Sequence, residues 1–354
     1  MNRQMMKGNE AIAEAAVQAG CRYYFGYPIT PQSEIPEYMS RRLPEVGGVF
    51  LQAESEIAAI NMVYGAAGTG ARAMTSSSSP GISLKQEGIS YIAGSELPCV
   101  IVNIVRGGPG LGSIQPAQSD YYQATRGGGH GDYRLPVYAP ASVQEAVNLT
   151  QKAFDTADKY RTPAMILGDG IIGQMMEPVT MPEYVRPEVD KSWAATGWNA
   201  SMKRDRAIIN SLFIEADRLE VHLAKLEKKY RAIEQNELMV ETQFLEDAEF
   251  AIVAYGTTAR IALTAIRNAR AEGIKVGLIR PITLWPFPTQ TISDAAKRVK
   301  GLLTVEMSLG QMVDDVRIAA NGACPVKFYG RSGGVVPGVR EIYQQIVSMK
   351  EELA

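Results

Sequence analysis

Short, almost continuously apolar segments recur along this 354-residue chain and alternate with segments whose apolar residues have helical spacing. The predicted strands of the first half are residues 23–26, 49–52, 73–75, 100–105 and 164–167, and those of the second half are residues 250–255, 276–279 and 301–305. Strands without polar alternation are buried on both faces, so the pattern predicts parallel sheets covered by helices on each side. We therefore expect an α/β protein with a doubly wound parallel sheet.

This alternation is interrupted once, which predicts three parts. Residues 1–184 carry the first set of strands, and residues 248–354 carry a second, smaller α/β domain. Residues 185–247 lack a strand signal, and Met202 to Gln235 is rich in Glu, Lys, Arg, Leu and Ala at helical spacing. We expect one or two long surface helices there, forming a linker or arm. The proline- and aromatic-rich loop around Trp285 has the composition of a buried interface.

Composition excludes several classes of protein. The 36 basic and 38 acidic residues are nearly balanced and form no block, which argues against a nucleic-acid partner. No apolar run reaches the roughly 18 residues that span a bilayer, so we expect no membrane segment and a cytoplasmic location. The three cysteines, Cys21, Cys99 and Cys324, are far apart. Because an iron–sulfur cluster usually takes four thiolates, we expect none in this chain.

Polar residues follow several predicted strands, at the edge where open parallel sheets bind ligands. In residues 26–33 (GYPITPQS), two prolines fix the backbone around Thr30 and would present its hydroxyl rigidly. The alternative is a turn in which Thr30 or Ser33 caps the next helix. After the strand at 49–52, Glu54 and Glu56 stand at a helix start, where acidic residues also serve as helix caps.

Arg106 directly follows the strand at 100–105 and leads into a glycine-rich segment, residues 107–112. An arginine at a strand end can bind a carboxylate or a phosphate through two parallel hydrogen bonds. As a dinucleotide-binding fingerprint the glycine segment is weak, because its spacing departs from GxGxxG and Pro109 interrupts any helix start.

Residues 27–31 (Tyr-Pro-Ile-Thr-Pro), Glu54-Ser55-Glu56, Arg106 and residues 118–120 (Gln-Ser-Asp) together resemble the alpha subunit of 2-oxoacid:ferredoxin oxidoreductases. The resemblance runs the length of the chain and is greatest to the branched-chain (2-oxoisovalerate) and 2-oxoglutarate types. It implies a thiamine diphosphate enzyme. Residues 1–184 would be its pyrimidine-type binding domain, and residues 248–354 would resemble the C-terminal domain of transketolase.

The resemblance also implies roles for individual residues. Glu56 would contact the pyrimidine ring, with Glu54 as the alternative two residues earlier, while Thr30 and Arg106 would hold the substrate carboxylate. These three, Glu56, Thr30 and Arg106, would be catalytic. Further residues would line the cofactor site, namely Tyr27, Pro28, Ile29, Ser78 and Gly81. A glutamate in this position does acid–base work, for which it must be shielded from free water.

The implied reaction is the coenzyme-A-dependent oxidative decarboxylation of a 2-oxoacid to acyl-CoA and carbon dioxide, with electrons passed to ferredoxin. A beta subunit would carry the diphosphate- and magnesium-binding domain and a [4Fe-4S] cluster, so no metal is expected in this chain. Gamma and ferredoxin-like delta subunits would complete the complex. We expect 2-oxoisovalerate as substrate, with 2-oxoglutarate as the alternative.

Other interpretations compete with these assignments. Gly168-Asp169-Gly170 resembles the start of a thiamine-enzyme magnesium motif that ends near Asn199, but no helix is evident between them and we expect a tight turn. A complete thiamine enzyme would need that motif, and a non-catalytic assembly subunit would need no active site.

Two further positions have open roles. His130 is either a solvated loop residue or a substrate contact. Backbone amides after Tyr255 could hold an anion.

Overall fold

The structure is a computed structural model that describes residues 3–353. The strands are β1 (Gln4–Lys7), β2 (Tyr23–Gly26), β3 (Val49–Gln52), β4 (Ala73–Ser77), β5 (Cys99–Val105), β6 (Val137–Tyr138), β7 (Pro163–Asp169), β8 (Met176–Val179), β9 (Val240–Gln243), β10 (Phe250–Val253), β11 (Val276–Pro281), β12 (Thr283–Trp285), β13 (Gly301–Glu306) and β14 (Val326–Gly330). The helices are α1 (Gly8–Gln18), α2 (Glu34–Glu45), α3 (Glu56–Gly68), α4 (Ser79–Gly94), α5 (Tyr121–Thr125), α6 (Val143–Tyr160), α7 (Gly170–Gln174), α8 (Ala216–Asn236), α9 (Gly256–Ala271), α10 (Thr289–Ala296), α11 (Met312–Ala320) and α12 (Val339–Leu353).

The first sheet has seven strands in the order β12-β6-β7-β5-β4-β2-β3. All are parallel except β12, which runs antiparallel to β6. Along the central β5, Val100, Val102 and Ile104 pack in one core with α1, α2 and α6, whereas Ile101 and Val105 pack in another with α3 and α4. Helices on both faces explain why every residue of β5 except Asn103 is apolar, and they confirm the predicted doubly wound α/β fold.

The second sheet has five strands in the order β14-β13-β10-β11-β9, with β9 antiparallel at one edge. Residues of α9 and α12 cover one face, and residues of α10 and α11 cover the other. The two sheets are joined, because β12 leaves the second set of strands and pairs with β6 of the first. Trp285 in β12 is buried. The interface predicted around Trp285 therefore lies inside the chain, between its two sheets.

The predicted linker helix is shorter than expected. Only α8 is helical, and residues 202–215 contain no helix or strand. The Asn210 side chain bonds to the backbone N–H and carbonyl of Leu212, a local turn that competes with helix formation. Ile209 packs near Gly68 of α3, so tertiary contacts hold this segment extended. Across residues 3–353, every helix is too short or too polar to cross a bilayer.

Candidate active site

The carboxyl ends of β2, β3, β4 and β5 lie side by side in the first sheet, because these strands are neighbours and parallel. Each end leads directly into one of the polar segments that the sequence singles out. Residues 27–33 follow β2, Glu56 begins α3 after β3, Ser78 follows β4, and Arg106 follows β5. The fold thus brings Thr30, Glu56, Ser78 and Arg106 to one edge of the sheet.

Arg106 joins two of these segments. Its Nη1 donates to the backbone carbonyl of Thr30 at 3.0 Å, and its Nη2 donates to the carbonyl of Leu111 at 3.2 Å. Its backbone N–H donates to the Ser79 hydroxyl at 3.1 Å, which fixes the strand end against α4. The side chain is buried, yet its Nε–H has no hydrogen-bond partner among residues 3–353. A guanidinium with an unused buried N–H can donate a further hydrogen bond to a bound anion.

Glu56 is the first residue of α3, and its side chain is only 6% exposed. The preceding Ser55 caps the helix, because its hydroxyl accepts from the Ala58 N–H at 3.2 Å. Glu56 is therefore free of the capping role. No hydrogen bond to its carboxylate is found within residues 3–353. Glu54, in contrast, is exposed, so of the two predicted candidates only Glu56 is directed into the protein.

Gly81 makes room for the Glu56 side chain. A β-carbon at residue 81 would lie 2.7 Å from Oε1 of Glu56 and 2.0 Å from Oγ of Ser77. Both distances are shorter than any allowed contact, so only glycine fits without displacing its neighbours. The start of α4 thereby packs directly against the Glu56 carboxylate.

Several buried polar atoms at this edge lack partners within the described residues. They are Oγ1 of Thr75, Oγ of Ser77, Oγ of Ser78 and Nε of Arg106. Buried polar groups are nearly always hydrogen-bonded in folded proteins, so a cluster of unpaired ones at a strand edge indicates a missing ligand or partner. Of these hydroxyls, that of Ser77 lies with Oε1 of Glu56 against Gly81, so unpaired polar groups adjoin the Glu56 carboxylate and fit a polar ligand there.

Tyr27, Pro28 and Thr30 are exposed, Ile29 is half-buried, and Pro31 is buried. Thr30 also borders a cavity of about 800 Å³ that extends to α7 and to Gly334 and Val336 of the second part. Thr30 is therefore open to solvent and to this cavity, whose lining includes neither Glu56 nor Arg106, whereas its backbone carbonyl is held by Arg106. Neither Thr30 nor Ser33 caps α2 through its side chain, so the capping alternative is wrong.

The segment after Arg106 is tied to the second part of the chain by Gln118, which belongs to the Gln-Ser-Asp segment singled out in the sequence. Its amide donates to the Tyr255 carbonyl at 3.0 Å and accepts from the Met307 N–H at 3.0 Å. Nearby, Asp120 accepts from the Asn103 amide at 2.8 Å. The Gln118–Asp120 segment therefore positions the end of β5 relative to the second sheet.

Asp169 has a structural role. Its carboxylate accepts from the N–H groups of Ile171 at 2.9 Å and Ile172 at 3.2 Å, which caps α7. It also faces the start of α9, where a β-carbon on Gly256 would lie 3.7 Å from Oδ2. Burial raises the pKa of this carboxyl. Asp169 itself is therefore the anion that meets the helix start after Tyr255, where the sequence suggested an anion site.

Asn199 lies in the exposed part of the linker and bonds to Ser201. No group of three or more His, Cys, Asp or Glu side chains that could hold a metal ion occurs within residues 3–353.

His130 lies away from this cluster. Its ring meets Tyr91 edge-on, with centroids 5.8 Å apart. Tyr91 is ten residues beyond Gly81 along α4, which corresponds to about 15 Å along the helix axis. The structure therefore does not bring His130 to Glu56, Thr30 or Arg106.

One residue of this edge was missed by the sequence analysis. Lys85 of α4 is completely buried, and its Nζ has no hydrogen-bond partner among the described residues. It stands in the polar run Lys85-Gln86-Glu87, which is typical of an exposed helix face. The only available signal was its spacing of four residues from Gly81.

Two sequence models of known families match this chain. The thiamine-diphosphate-binding model of pyruvate flavodoxin/ferredoxin oxidoreductase matches residues 14–242. The model of core domain II of pyruvate:ferredoxin oxidoreductase matches residues 248–342.

Curated relatives are similar over almost their whole length. The ketoisovalerate oxidoreductase subunit VorB of Methanothermobacter marburgensis is 52% identical over 347 residues, covering 98% of this chain and 97% of the relative. The 2-oxoglutarate synthase subunit KorA of the same organism is 38% identical over 371 residues, covering 98% of each.

Solved structures share the fold. A 2-oxoglutarate:ferredoxin oxidoreductase from Magnetococcus marinus, solved with 2-oxoglutarate, coenzyme A and succinyl-CoA bound, superposes with a TM-score of 0.87 at 25% identity. The match covers 98% of this chain but 65% of that one. A split-gene transketolase, an inactive beta4 tetramer, covers 99% of each chain with a TM-score of 0.63 at 14% identity, which shows the fold alone. On the family match and the 52% relative, the chain belongs to the pyruvate flavodoxin/ferredoxin oxidoreductase family, as a subunit of a 2-oxoacid:ferredoxin oxidoreductase.

Proposed function

We propose that this chain supplies the pyrimidine-side half of a thiamine diphosphate site in an enzyme that oxidatively decarboxylates 2-oxoisovalerate. The observation that carries the proposal is Glu56, a buried residue whose carboxylate has no hydrogen bond within residues 3–353. Oε1 of Glu56 lies, together with the unpaired hydroxyl of Ser77 at the end of β4, against Gly81. A carboxylate on a buried residue that lacks a protein partner is suited to a polar ring that arrives with the cofactor.

The residues present fit the aminopyrimidine ring of thiamine diphosphate. Glu56 would accept or give a proton at a ring nitrogen, and the unpaired hydroxyls of Ser77 and Ser78 would satisfy the ring's other polar atoms. When bound, the cofactor would supply a carbon nucleophile for the keto group of the substrate, and Glu56 would hold or move the proton at its ring nitrogen. Tyr27, Pro28, Ile29 and Gly81 would enclose the ring, and they are contributed by the loop after β2 and by α4.

Arg106 and Thr30 would hold the substrate carboxylate until it leaves as carbon dioxide. The guanidinium keeps an unused Nε–H, and Thr30 is exposed and borders the adjacent cavity. Fixed donors of this kind need no reorganisation during the reaction, which is the usual origin of electrostatic stabilisation in enzymes. The hydrogen bond from Arg106 to the Thr30 carbonyl fixes the position of the two residues relative to each other.

Partner subunits would complete the site. Apolar side chains are exposed close to Glu56, namely those of Tyr27, Leu51, Ile57 and Leu84. Exposed apolar residues grouped around a polar site are typical of a protein–protein interface. We infer that a beta subunit covers this edge and brings the diphosphate- and magnesium-binding domain and a [4Fe-4S] cluster. Gamma and ferredoxin-like delta subunits, coenzyme A and ferredoxin are further expected partners.

The choice of 2-oxoisovalerate follows from the 52% identity to a subunit whose name gives ketoisovalerate. The 2-oxoglutarate enzyme is the second candidate, supported by the 38% relative and by the structural match. The division of the chain after residues 184 and 247 and the cytoplasmic location stay predictions.

The test uses the chain purified with its co-expressed partner subunits. Coenzyme-A-dependent reduction of a viologen dye would be measured with 2-oxoisovalerate and with 2-oxoglutarate. We expect the higher kcat/KM with 2-oxoisovalerate, and the reverse order would favour the second candidate.

Paired variants address the site in the same assay. Glu56→Gln should lower kcat at least about a hundredfold, the scale of acid–base groups. The matched control is the exposed neighbour, since Glu54→Gln should leave kcat within about twofold. Full turnover by Glu56→Gln in an assembled complex would make the chain a non-catalytic assembly subunit.

A further inference from the structure

A buried lysine lies behind Glu56, and none of the roles above uses its charge. Lys85 is 0% exposed, and its Nζ has no hydrogen-bond partner within residues 3–353. Lysine is almost never fully buried unless it is paired, because removing an ammonium group from water is costly. An unpaired buried ammonium does not help the chain fold, so its position needs another explanation.

The packing of α4 against α3 fixes where Lys85 points. Gly81, Lys85 and Gly88 are spaced by four and three residues and therefore share one face of α4. A β-carbon on Gly81 would lie 2.7 Å from Oε1 of Glu56, and one on Gly88 would lie 2.6 Å from Cγ2 of Ile60. Contacts with α3 thus flank Lys85 on both sides. Because helical side chains lean toward the helix N-terminus, the lysine extends toward the level of Glu56.

Glu56 is the charged group whose field acts on Lys85. Of the other titratable side chains on elements that pack on α4, Tyr64 of α3 bonds to a serine beyond the far end of α4. Cys99 begins β5, and Asp169 caps α7 in the domain interface. Arg106 and Asp120 contact Ser79 at the start of α4, and His222 of α8 contacts the carbonyl of Gly94 at its end. The loop that packs on Gln86 and Ser90 carries Arg126, His130, Asp132 and Tyr133. No ion pair or hydrogen bond joins Lys85 to Glu56, so the lysine acts on the carboxylate across a gap.

The charge of Lys85 changes near neutral pH. Burial lowers the pKa of its ammonium group to about 8, although the Glu56 carboxylate opposes the change. The group is therefore a cation at pH 7 and neutral well above pH 8. A cation whose field acts on a partly buried carboxylate changes the ionisation equilibrium of that carboxylate on the order of tenfold.

We propose that Lys85 is a positioning residue that acts through Glu56. Its charge favours the ionised carboxylate, so a proton shared between Glu56 and the aminopyrimidine ring rests on the ring more of the time. This inference rests on the proposed role of Glu56. It gives α4 an indirect role in the chemistry, because Lys85 acts on Glu56 and does not contact the substrate.

The test measures thiamine diphosphate binding as well as turnover, in the complex of the full chain with its partner subunits after removal of the cofactor. Lys85→Met keeps an unbranched side chain of similar length and removes the charge, and Lys85→Leu is a second variant in case the first assembles poorly. The matched control is Lys229→Met. Lys229, on α8, is also a largely buried lysine, but its Nζ forms an ion pair with Glu96 at 3.0 Å.

At pH 7 we expect Lys85→Met to raise the dissociation constant of thiamine diphosphate and to lower kcat, each about tenfold, with KM for the 2-oxoacid within about twofold. In the wild type the cofactor affinity and kcat should fall as pH rises through about 8, whereas Lys85→Met should lack this step. The two proteins should therefore converge near pH 9.5. Lys229→Met should follow the wild-type profile.

Cofactor affinity and pH profiles of Lys85→Met and Lys85→Leu that coincide with those of the wild type would overturn the inference. Failure of the proposed function has a different signature, namely that Glu56→Gln itself binds thiamine diphosphate and turns over normally. A defective Glu56→Gln beside a normal Lys85→Met would contradict the role of Lys85 alone.

Discussion

Nη1 of Arg106 donates a 3.0 Å hydrogen bond to the backbone carbonyl of Thr30, which joins the end of β5 to the loop after β2. The contact is made to the backbone and not to the hydroxyl. Positioning of the loop and binding of a substrate by the hydroxyl are therefore separate properties. Substitutions at the two residues should affect them differently.

Thr30→Val replaces the hydroxyl with a methyl group and leaves the carbonyl that Arg106 holds. If the hydroxyl contacts the substrate carboxylate, kcat/KM for the 2-oxoacid should fall roughly 10- to 100-fold, the value of a hydrogen bond to a charged group. Thiamine diphosphate affinity should stay unchanged. Steady-state kinetics and isothermal titration of the cofactor would show the difference, and wild-type kcat/KM would remove Thr30 from the site.

Arg106→Lys should be more harmful than Thr30→Val. A lysine keeps the positive charge but cannot bond to the Thr30 and Leu111 carbonyls and to a substrate at once, because it lacks the planar guanidinium. We expect kcat/KM to fall at least about a hundredfold and the loop at 107–112 to become more susceptible to proteolysis. Limited proteolysis of the complex would test the second effect, and unchanged kinetics would contradict a substrate contact.

The fold was predictable because strands that are buried on both faces stand out in the sequence as nearly continuous apolar segments. The strands predicted at 23–26 and 49–52 coincide with β2 and β3. Six strands were missed, namely β1, β6, β8, β9, β12 and β14. The shortest, β6 and β12, have two and three residues and carry too little periodicity. Residues 202–215 were wrongly predicted to be helical. Their composition favours a helix, but the Asn210 turn and packing on α3 decide the conformation.

The candidate site was predictable only where residues lie at strand ends. Arg106 directly follows β5, whereas Thr30 and Glu56 lie in the segments that follow β2 and β3, and a parallel sheet brings such positions together. The burial of Lys85 depends on how closely α3 and α4 approach, which Gly81 and Gly88 permit through contacts distant in sequence. The local sequence pattern does not indicate contacts between residues that are far apart in the sequence.

Gly81→Ala would test the fit around Glu56. The added methyl group would lie 2.0 Å from Oγ of Ser77 and 2.7 Å from Oε1 of Glu56, so the carboxylate must move. Because a displacement of about 1 Å can cost on the order of 10²-fold in rate, we expect turnover to fall about that much.

The control for this variant is Gly65→Ala in α3, where a β-carbon meets nothing within 4 Å. Alanine in an open helix position should stabilise the chain by about 0.5–1 kcal/mol and leave turnover unchanged. Equal activities of the two variants would show that the Glu56 carboxylate can move without loss.

Lys85→Met should stabilise the cofactor-free chain. A pKa that falls from 10.5 to about 8 on folding costs about 3 kcal/mol at pH 7, because the unfolded state binds the proton more tightly. Wild-type stability should rise between pH 8 and 10.5 as the ammonium group loses its proton. The advantage of the variant should therefore be constant below pH 8 and vanish toward pH 10.5. Thermal unfolding across this range would measure it, and a less stable variant at pH 7 would show that the ammonium group is paired.

Gln118→Glu should loosen the contact between the two sheets. The amide of Gln118 donates to the Tyr255 carbonyl, and a carboxylate of the same shape would meet that carbonyl without a proton. It would also lie near the buried Asp169 and Glu306, and burial raises the pKa of both carboxyls. An uncompensated buried charge costs about 3–5 kcal/mol, so we expect a large loss of unfolding free energy at pH 7. Because the cost belongs to the ionised form, it should grow as pH rises from about 4.3, the ordinary pKa of a glutamate, up to the raised pKa of the buried carboxyl. Chemical denaturation at pH 5 and pH 8 would measure this slope, and equal losses at the two values would contradict the assignment.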